Sequence, residues 1–181
     1  DNARCLIALC LMTGQVGKPG SGLHPLRGQN NVQGASDSGL IPMMYPDYQR
    51  VNNDEANQRF EKFWGTSLDK KPGLTVVEIV NAAYDGKIRG MYIMGENPAM
   101  SDPDVEHARA GMAKLEHMVV QDIFLTETAY LADVVLPATA WPEKDGTVTN
   151  TDRMVQLGRK ALDAPGQARP DLWIIVEIAR R

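Results

Sequence analysis

From residue 89 onward the chain alternates short apolar runs with helical segments, and this alternation restricts the fold more than any figure of composition. Arg89 to Met94, Met118 to Asp122 and Asp133 to Leu136 read as strands, the last closed by Pro137. Between them, Ser101-Asp102-Pro103 opens a helix through about Leu115, and Thr126 to Leu131 forms a short helix. Strands separated by helices are joined by crossovers and lie parallel. The expected fold is α/β: a three-layer parallel sheet with flanking helices, dinucleotide-binding-like. A long irregular segment at 23–50 precedes it, rich in Gly, Asn, Gln and Pro. Such a stretch is unusual inside a domain unless it binds something.

Other elements follow from local signals. Residues 3–12 read as a buried helix ending at Gly14, and residues 53–64 as a helix capped by Asn52 or Asn53 and stopped by Gly65. Thr75-Val76-Val77-Glu78 has capping-box spacing and starts a helix to about Asp85, with Gly86 as its stop. Residues 146–157 read as a polar hairpin, and Asp171 to Ala179 as a helix. No internal repeat is visible.

Composition excludes several classes. With 181 residues, 43% hydrophobic and 23% charged, the chain can build an ordinary globular core. A net charge of -4 leaves no basic footprint for nucleic acid. No apolar run approaches the roughly 18 residues of a membrane span. Cys5 and Cys10 fall on different faces of a helix, which disfavours a disulfide or a shared metal, so this chain carries no metal site of its own. Low cysteine content fits a reducing, cytoplasmic location. The glycine-rich stretch from Gly14 to Gly22 neither follows a strand nor ends in a P-loop lysine, so it reads as a turn.

Ligands of parallel α/β sheets bind at the carboxyl ends of the strands. Met94-Gly95-Glu96-Asn97-Pro98 follows the first strand and Gln121-Asp122 ends the second, with Thr126 a short turn later. Gly95 lets backbone approach a ligand, and a carboxylate at Asp122 can accept paired hydrogen bonds from a guanine edge. Asp122 and Thr126 as caps of the following helix is an equally weighted alternative. Asp171 has the same two readings, polar contact or N-cap. His107 and His117 read as surface or structural groups and His24 as weak evidence of a phosphate contact. Trp64, Trp141 and Trp173 read as core or packing residues, and Glu143-Lys144-Asp145 as a solvated turn.

Several unlike segments recur in one order: Leu26-Arg27-Gly28-Gln29-Asn30-Asn31-Val32-Gln33-Gly34, Tyr92 to Pro98, Gln121 to Ala129, Ala132-Asp133-Val134-Val135-Leu136-Pro137, and Gly146-Thr147-Val148-Thr149-Asn150. In this order they resemble the molybdopterin-dependent formate dehydrogenases of the dimethyl-sulfoxide-reductase family, over nearly the whole chain. Enzymes of that family are several times longer, so the chain looks like an internal piece of a catalytic subunit. It lacks the part bearing the metal-ligating cysteine or selenocysteine.

The resemblance implies a bis-molybdopterin guanine dinucleotide cofactor with molybdenum or tungsten, and iron–sulfur clusters only in other parts of the parent. Residues 1–35 would end the metal-site domain and 36–181 would form the cofactor-binding domain. Met94, Gly95, Glu96, Asp122 and Thr126 would line a guanosine end; Gln29, Asn30, Gly146, Asn150 and Asp171 would contact the cofactor elsewhere. Arg27 matches the arginine that orients formate. A planar guanidinium suits a small carboxylate, although from the residues alone a structural ion pair or a phosphate contact is favoured. The implied partners are formate, the remaining catalytic subunit and electron-transfer subunits. Competing readings are a non-catalytic guanine-nucleotide or pterin-binding module, and an enzyme acting on nitrate or another oxyanion.

Overall fold

A computed structural model of the chain describes residues 2–181. Its helices are α1 (Asn2–Met12), α2 (Val32–Asp37), α3 (Asp54–Trp64), α4 (Val76–Tyr84), α5 (Pro98–Ser101), α6 (Val105–Met112) and α7 (Asp171–Arg180). Its strands are β1 (Met44–Tyr45), β2 (Gln49–Arg50), β3 (Gly90–Met94), β4 (His117–Asp122), β5 (Val134–Pro137), β6 (Gly146–Thr149) and β7 (Val155–Gly158).

The strands β3, β4 and β5 form one parallel three-stranded sheet in that order. Met91 lies opposite Met118 and Val120 opposite Val135. Side chains alternate across a strand, so Met118 and Val120 share one face while Val119 and Gln121 share the other. The first face carries the main core. Met118 and Val120 pack with Ala99, Ala108, Met112 and Ala129, and Val80 of α4 and Leu115 close the rim. On the other face Tyr92 donates from its hydroxyl to Gln121, and Gln121 reaches Asp171 at the start of α7. Helices therefore flank the sheet as expected for an α/β fold.

A second cluster is built separately. Tyr45, Val51 and Ala56 are buried there, with Phe60 and Leu68 against them. The Tyr45 and Phe60 rings lie 4.7 Å apart and those of Phe60 and Trp64 4.9 Å apart. Asn57, with no exposed surface, donates from its amide to the Tyr45 hydroxyl at 2.9 Å, which offsets the cost of burying both groups.

The expected capping signals operate. Asn53 Oδ1 accepts from the Ala56 N–H at 2.9 Å and starts α3. Glu78 accepts from the Thr75 N–H at 2.8 Å and hydroxyl at 2.7 Å, holding its carboxyl below the usual range, the backbone bond being the larger cause. The polar hairpin also forms, with β6 and β7 antiparallel and Thr149 opposite Val155.

Three expectations are corrected. Helix α1 is not buried: Leu6, Leu9, Leu11 and Met12 are exposed, as is Cys5, because the chain packs no other element over them. The helix expected from Ser101 is split, since Asp102 precedes Pro103 and is driven to extended backbone, φ -72° and ψ 145°, ending α5. Helix α6 starts instead behind Asp104. The irregular segment at 23–50 contains α2 and the antiparallel pair β1–β2. These are held by tertiary contacts: buried Gln33 donates to Asp37 Oδ1 at 2.7 Å and to the Tyr48 hydroxyl at 3.2 Å. The tryptophans, read as core or packing residues, pack against a neighbour at two of three positions and are not buried. Trp64 leans on Phe60, Arg169 lies over Trp173, and Trp141 is exposed.

Met118 fills the centre of the sheet core, so Met118→Ala is expected to lower unfolding free energy by about 2–5 kcal/mol in urea titrations. The Glu78 cap has a defined pH signature. Its folded carboxyl is depressed, so its contribution is present above the unfolded value near 4.5 and is lost as pH falls through the lowered folded value. Glu78→Gln should remove that part of the acid dependence in melts run across this range.

Candidate functional site

The loop at 27–31 and the β6–β7 hairpin face each other across a cleft of about 690 Å³. Arg27, Gly28, Gln29, Asn30 and Asn31 form one wall, and Trp141, Lys144, Gly146 and Asn150 belong to the other. Among the described residues no carboxylate lines this cleft, although the whole chain carries net charge -4. Arg27 and Lys144 are its cations. No ion pair among the described residues involves Arg27, so the structural ion pair weighed from sequence is not formed.

The two walls are tied by one amide. Asn31 Oδ1 accepts from the Thr149 N–H at 2.9 Å. Gly34 makes room for that arrangement, since a Cβ there would lie 2.3 Å from Asn31 Oδ1 and 3.1 Å from Thr149 Oγ1. The 27–31 loop is also tied to the sheet, because Gln29 donates from Nε2 to Glu96 Oε1 at 2.8 Å. That bond joins the two groups of candidate residues: Arg27, Gln29, Asn30, Gly146 and Asn150 in the cleft, and Met94, Gly95, Glu96, Asp122 and Thr126 at the strand ends.

At the strand ends the backbone turns sharply. Gly95 adopts φ +64° and donates its N–H to the Gln121 carbonyl at 2.9 Å. Met94, Gly95 and Glu96 are exposed. Asp122 Oδ1 accepts from the Ile123 N–H at 2.6 Å, and Thr126 Oγ1 accepts from the Ala129 N–H at 3.3 Å. Asp122 thus closes a turn at the carboxyl end of β4 and is not a helix cap, while Thr126 bonds the first residue of the short helix Ala129–Leu131, whose N-cap position is Thr128. Asn97 braces this rim: its Oδ1 accepts from the buried Thr128 hydroxyl at 2.8 Å, and its Nδ2 donates to Glu127 at 2.7 Å. The latter bond is the main reason the Glu127 carboxyl lies below its usual range. Next to them Asp102 has a buried Oδ2 with no protein partner. Burial, then the charge of Glu96, pushes its carboxyl up.

Asp171 does not line the cleft and is not the N-cap of α7, which is Pro170. Its Oδ1 accepts from Gln121 Nε2 at 2.7 Å and its Oδ2 pairs with Lys144. Lys144 is accordingly no solvated turn residue; it also donates to the Thr139 carbonyl at 3.2 Å. Sequence reasoning missed it because its neighbours Glu143 and Asp145 make a local charge pattern typical of a surface turn. Gln121 was a detectable signal: an amide inside an apolar strand requires partners. His107 is structural, at 3.0 Å from Asn81 Oδ1 and stacked on Tyr84, and His117 pairs with Asp133 at 3.5 Å. Among the described residues no group of three or more His, Cys, Asp or Glu is placed to hold a metal ion.

The fold and cleft together define an α/β domain with a carboxylate-free recess suited to an anionic ligand. Residues 1–181 match the model of one family, molybdopterin oxidoreductase, and the chain belongs to that family. It is 53% identical over 178 residues to the F420-dependent formate dehydrogenase subunit alpha of Methanocaldococcus jannaschii, covering 98% of this chain and 26% of that protein. It is 43% identical over 182 residues to formate dehydrogenase H of Escherichia coli, covering 100% of this chain and 26% of that protein. The chain thus spans about a quarter of the length of these relatives. Acetylene hydratase from Pelobacter acetylenicus shares the fold, with a TM-score of 0.54 and 17% identity over 83% of this chain and 19% of that one. Family membership implies a molybdopterin cofactor. No helix among the described residues is long and apolar enough to cross a membrane.

Gly34→Ala and Asn31→Ala are both expected to release the hairpin from the 27–31 loop. Hydrogen exchange at the Thr149 amide should accelerate in each variant, with a stability loss of about 1–3 kcal/mol. Unchanged exchange at Thr149 would mean that the tie is not held in solution.

Proposed function

We propose that this chain is the cofactor- and substrate-facing part of a formate-oxidising molybdopterin enzyme. One observation carries the reading: among the described residues the cleft is lined by an arginine in no ion pair, a lysine and side-chain amides, with no carboxylate in its wall. This donor set fits a phosphate-bearing cofactor and a small carboxylate substrate, both anionic, and would repel neither. High identity to proteins named formate dehydrogenase supports the same substrate.

In this reading the cofactor is a bis-molybdopterin guanine dinucleotide with molybdenum or tungsten, which supplies the redox chemistry when bound. Gln29, Asn30, Gly146 and Asn150 offer it amide donors and open backbone along the cleft. Met94, Gly95, Glu96, Asp122 and Thr126 offer a rim for its guanosine end. One oxygen of Asp122 is committed to its turn, so the guanine contact would draw chiefly on Oδ2. Asp171 acts at one remove, through Lys144. Arg27 binds the formate oxygens side by side and fixes the carboxylate's orientation, an effect on geometry rather than on affinity alone. Iron–sulfur clusters carried elsewhere in the parent protein would take up the electrons, in the cytoplasm, with electron-transfer subunits as partners. In this reading residues 1–35 end the metal-site domain and 36–181 form the cofactor-binding domain, with the division falling within α2.

The test is Arg27→Lys in the full-length enzyme. The charge stays and the planar pair of donors is lost, so kcat/KM for formate should fall roughly 10- to 100-fold with pterin content unchanged. Wild-type protein that turns over nitrate and leaves formate untouched would overturn the substrate. Wild-type protein that holds no pterin, measured by fluorescence of its oxidised form, would overturn the cofactor.

A further inference from the structure

The side chains behind the cleft form a continuous polar chain that the reading above does not use. Tyr92 donates to Gln121, Gln121 donates to Asp171 Oδ1 at 2.7 Å, and Asp171 Oδ2 holds Lys144, which lines the cleft. Gln121 has no exposed surface, and burying an amide costs free energy unless its partners are supplied. Here they are supplied by groups that fix a lysine. Burial, with Asp171 adding to it, pushes the Tyr92 phenol up, a shift in favour of its protonated, donating form.

A lysine ammonium has three N–H donors. Asp171 Oδ2 and the Thr139 carbonyl take up two directions, which leaves a third donor on a residue that lines the same cleft as Arg27. A free surface lysine loses rotamer entropy when it binds an anion; one already fixed by a carboxylate has lost it in advance. Because Asp171 balances its charge, Lys144 serves as an aimed donor more than as net positive charge, and Arg27 supplies the net charge.

We propose that Lys144 is a phosphate-binding residue of the cleft, donating to an anionic oxygen of the pterin dinucleotide, and that Asp171 is its positioning residue. This rests on the cofactor reading above. The chain Tyr92–Gln121–Asp171 sets the direction of the ammonium, and α7 is tied to the cleft by the same bonds.

The experiment uses the full-length enzyme with Lys144→Met, Lys144→Arg and Asp171→Asn. Pterin and phosphorus per chain are measured after extended dialysis, with thermal melts of the pterin-free proteins alongside. Lys144→Met should retain roughly ten-fold less pterin than wild type, Lys144→Arg should stay near wild type, and Asp171→Asn should fall between. A purely structural role would lower the melting temperature of pterin-free Lys144→Met while leaving retention of pterin unchanged, and that result overturns the proposal. A measurement on wild-type protein covers the case of a variant that does not fold. Amine acetylation followed by mass spectrometry should label Lys144 more slowly in pterin-loaded than in pterin-free enzyme; equal rates overturn the assignment. Wild type that binds no pterin overturns the underlying reading as well, whereas loaded wild type with full retention in Lys144→Met overturns Lys144 alone.

Discussion

Gln121 lies at the carboxyl end of the central strand with no surface exposed, and its amide must be matched on both sides. The position follows from pairing. β4 runs between β3 and β5, so its side chains are covered by both neighbours, and the register sets Gln121 opposite Met94 and Leu136. Slipping that register by one residue would send Met118 and Val120 to the thinly covered face and Gln121 into the apolar core. The parallel register thus fixes the core, the docking of α7 through Asp171, and the direction of Lys144 at one stroke.

Much of this was legible in the sequence. Short apolar runs alternating with helices point to a parallel sheet from residues alone, and the capping signals at Asn53 and Thr75-Glu78 start helices where expected. These features are local, and each carries its own chemistry. The misjudged features depend on what lies across space. An apolar stretch such as α1 has the composition of a buried helix, and nothing in it says whether a neighbour exists to bury it. The stretch at 23–50 lacks periodicity because α2 is held by side-chain bonds rather than by an apolar face, Gln33 to Tyr48 and Asn31 to the remote Thr149.

The candidate site was legible to a similar depth. Loops at strand ends follow from topology, and the family motifs mark Arg27 and its neighbours. Lys144 was hidden, since a lysine between two acidic residues looks solvated until Asp171 arrives from the far end of the chain. Asp171 in turn looked like a cofactor contact or a cap; it is not the cap of α7, and its carboxylate pairs with Lys144 and Gln121. Long-range polar pairs leave no periodic trace, which is why the groups that orient a site are harder to read than the groups that line it.

The separation of the two apolar clusters has a further consequence. The core under the sheet and the aromatic group around Tyr45 share no buried residue. They communicate through polar ties such as the Asn31–Thr149 and Gln29–Glu96 bonds. Proteins open locally in cooperative units of this kind, and the polar ties that join the 27–31 loop to the hairpin and to the strand ends lie at the cleft. A ligand seated there would hold the two units shut, so occupancy of the cleft and cooperativity of unfolding are two expressions of one coupling.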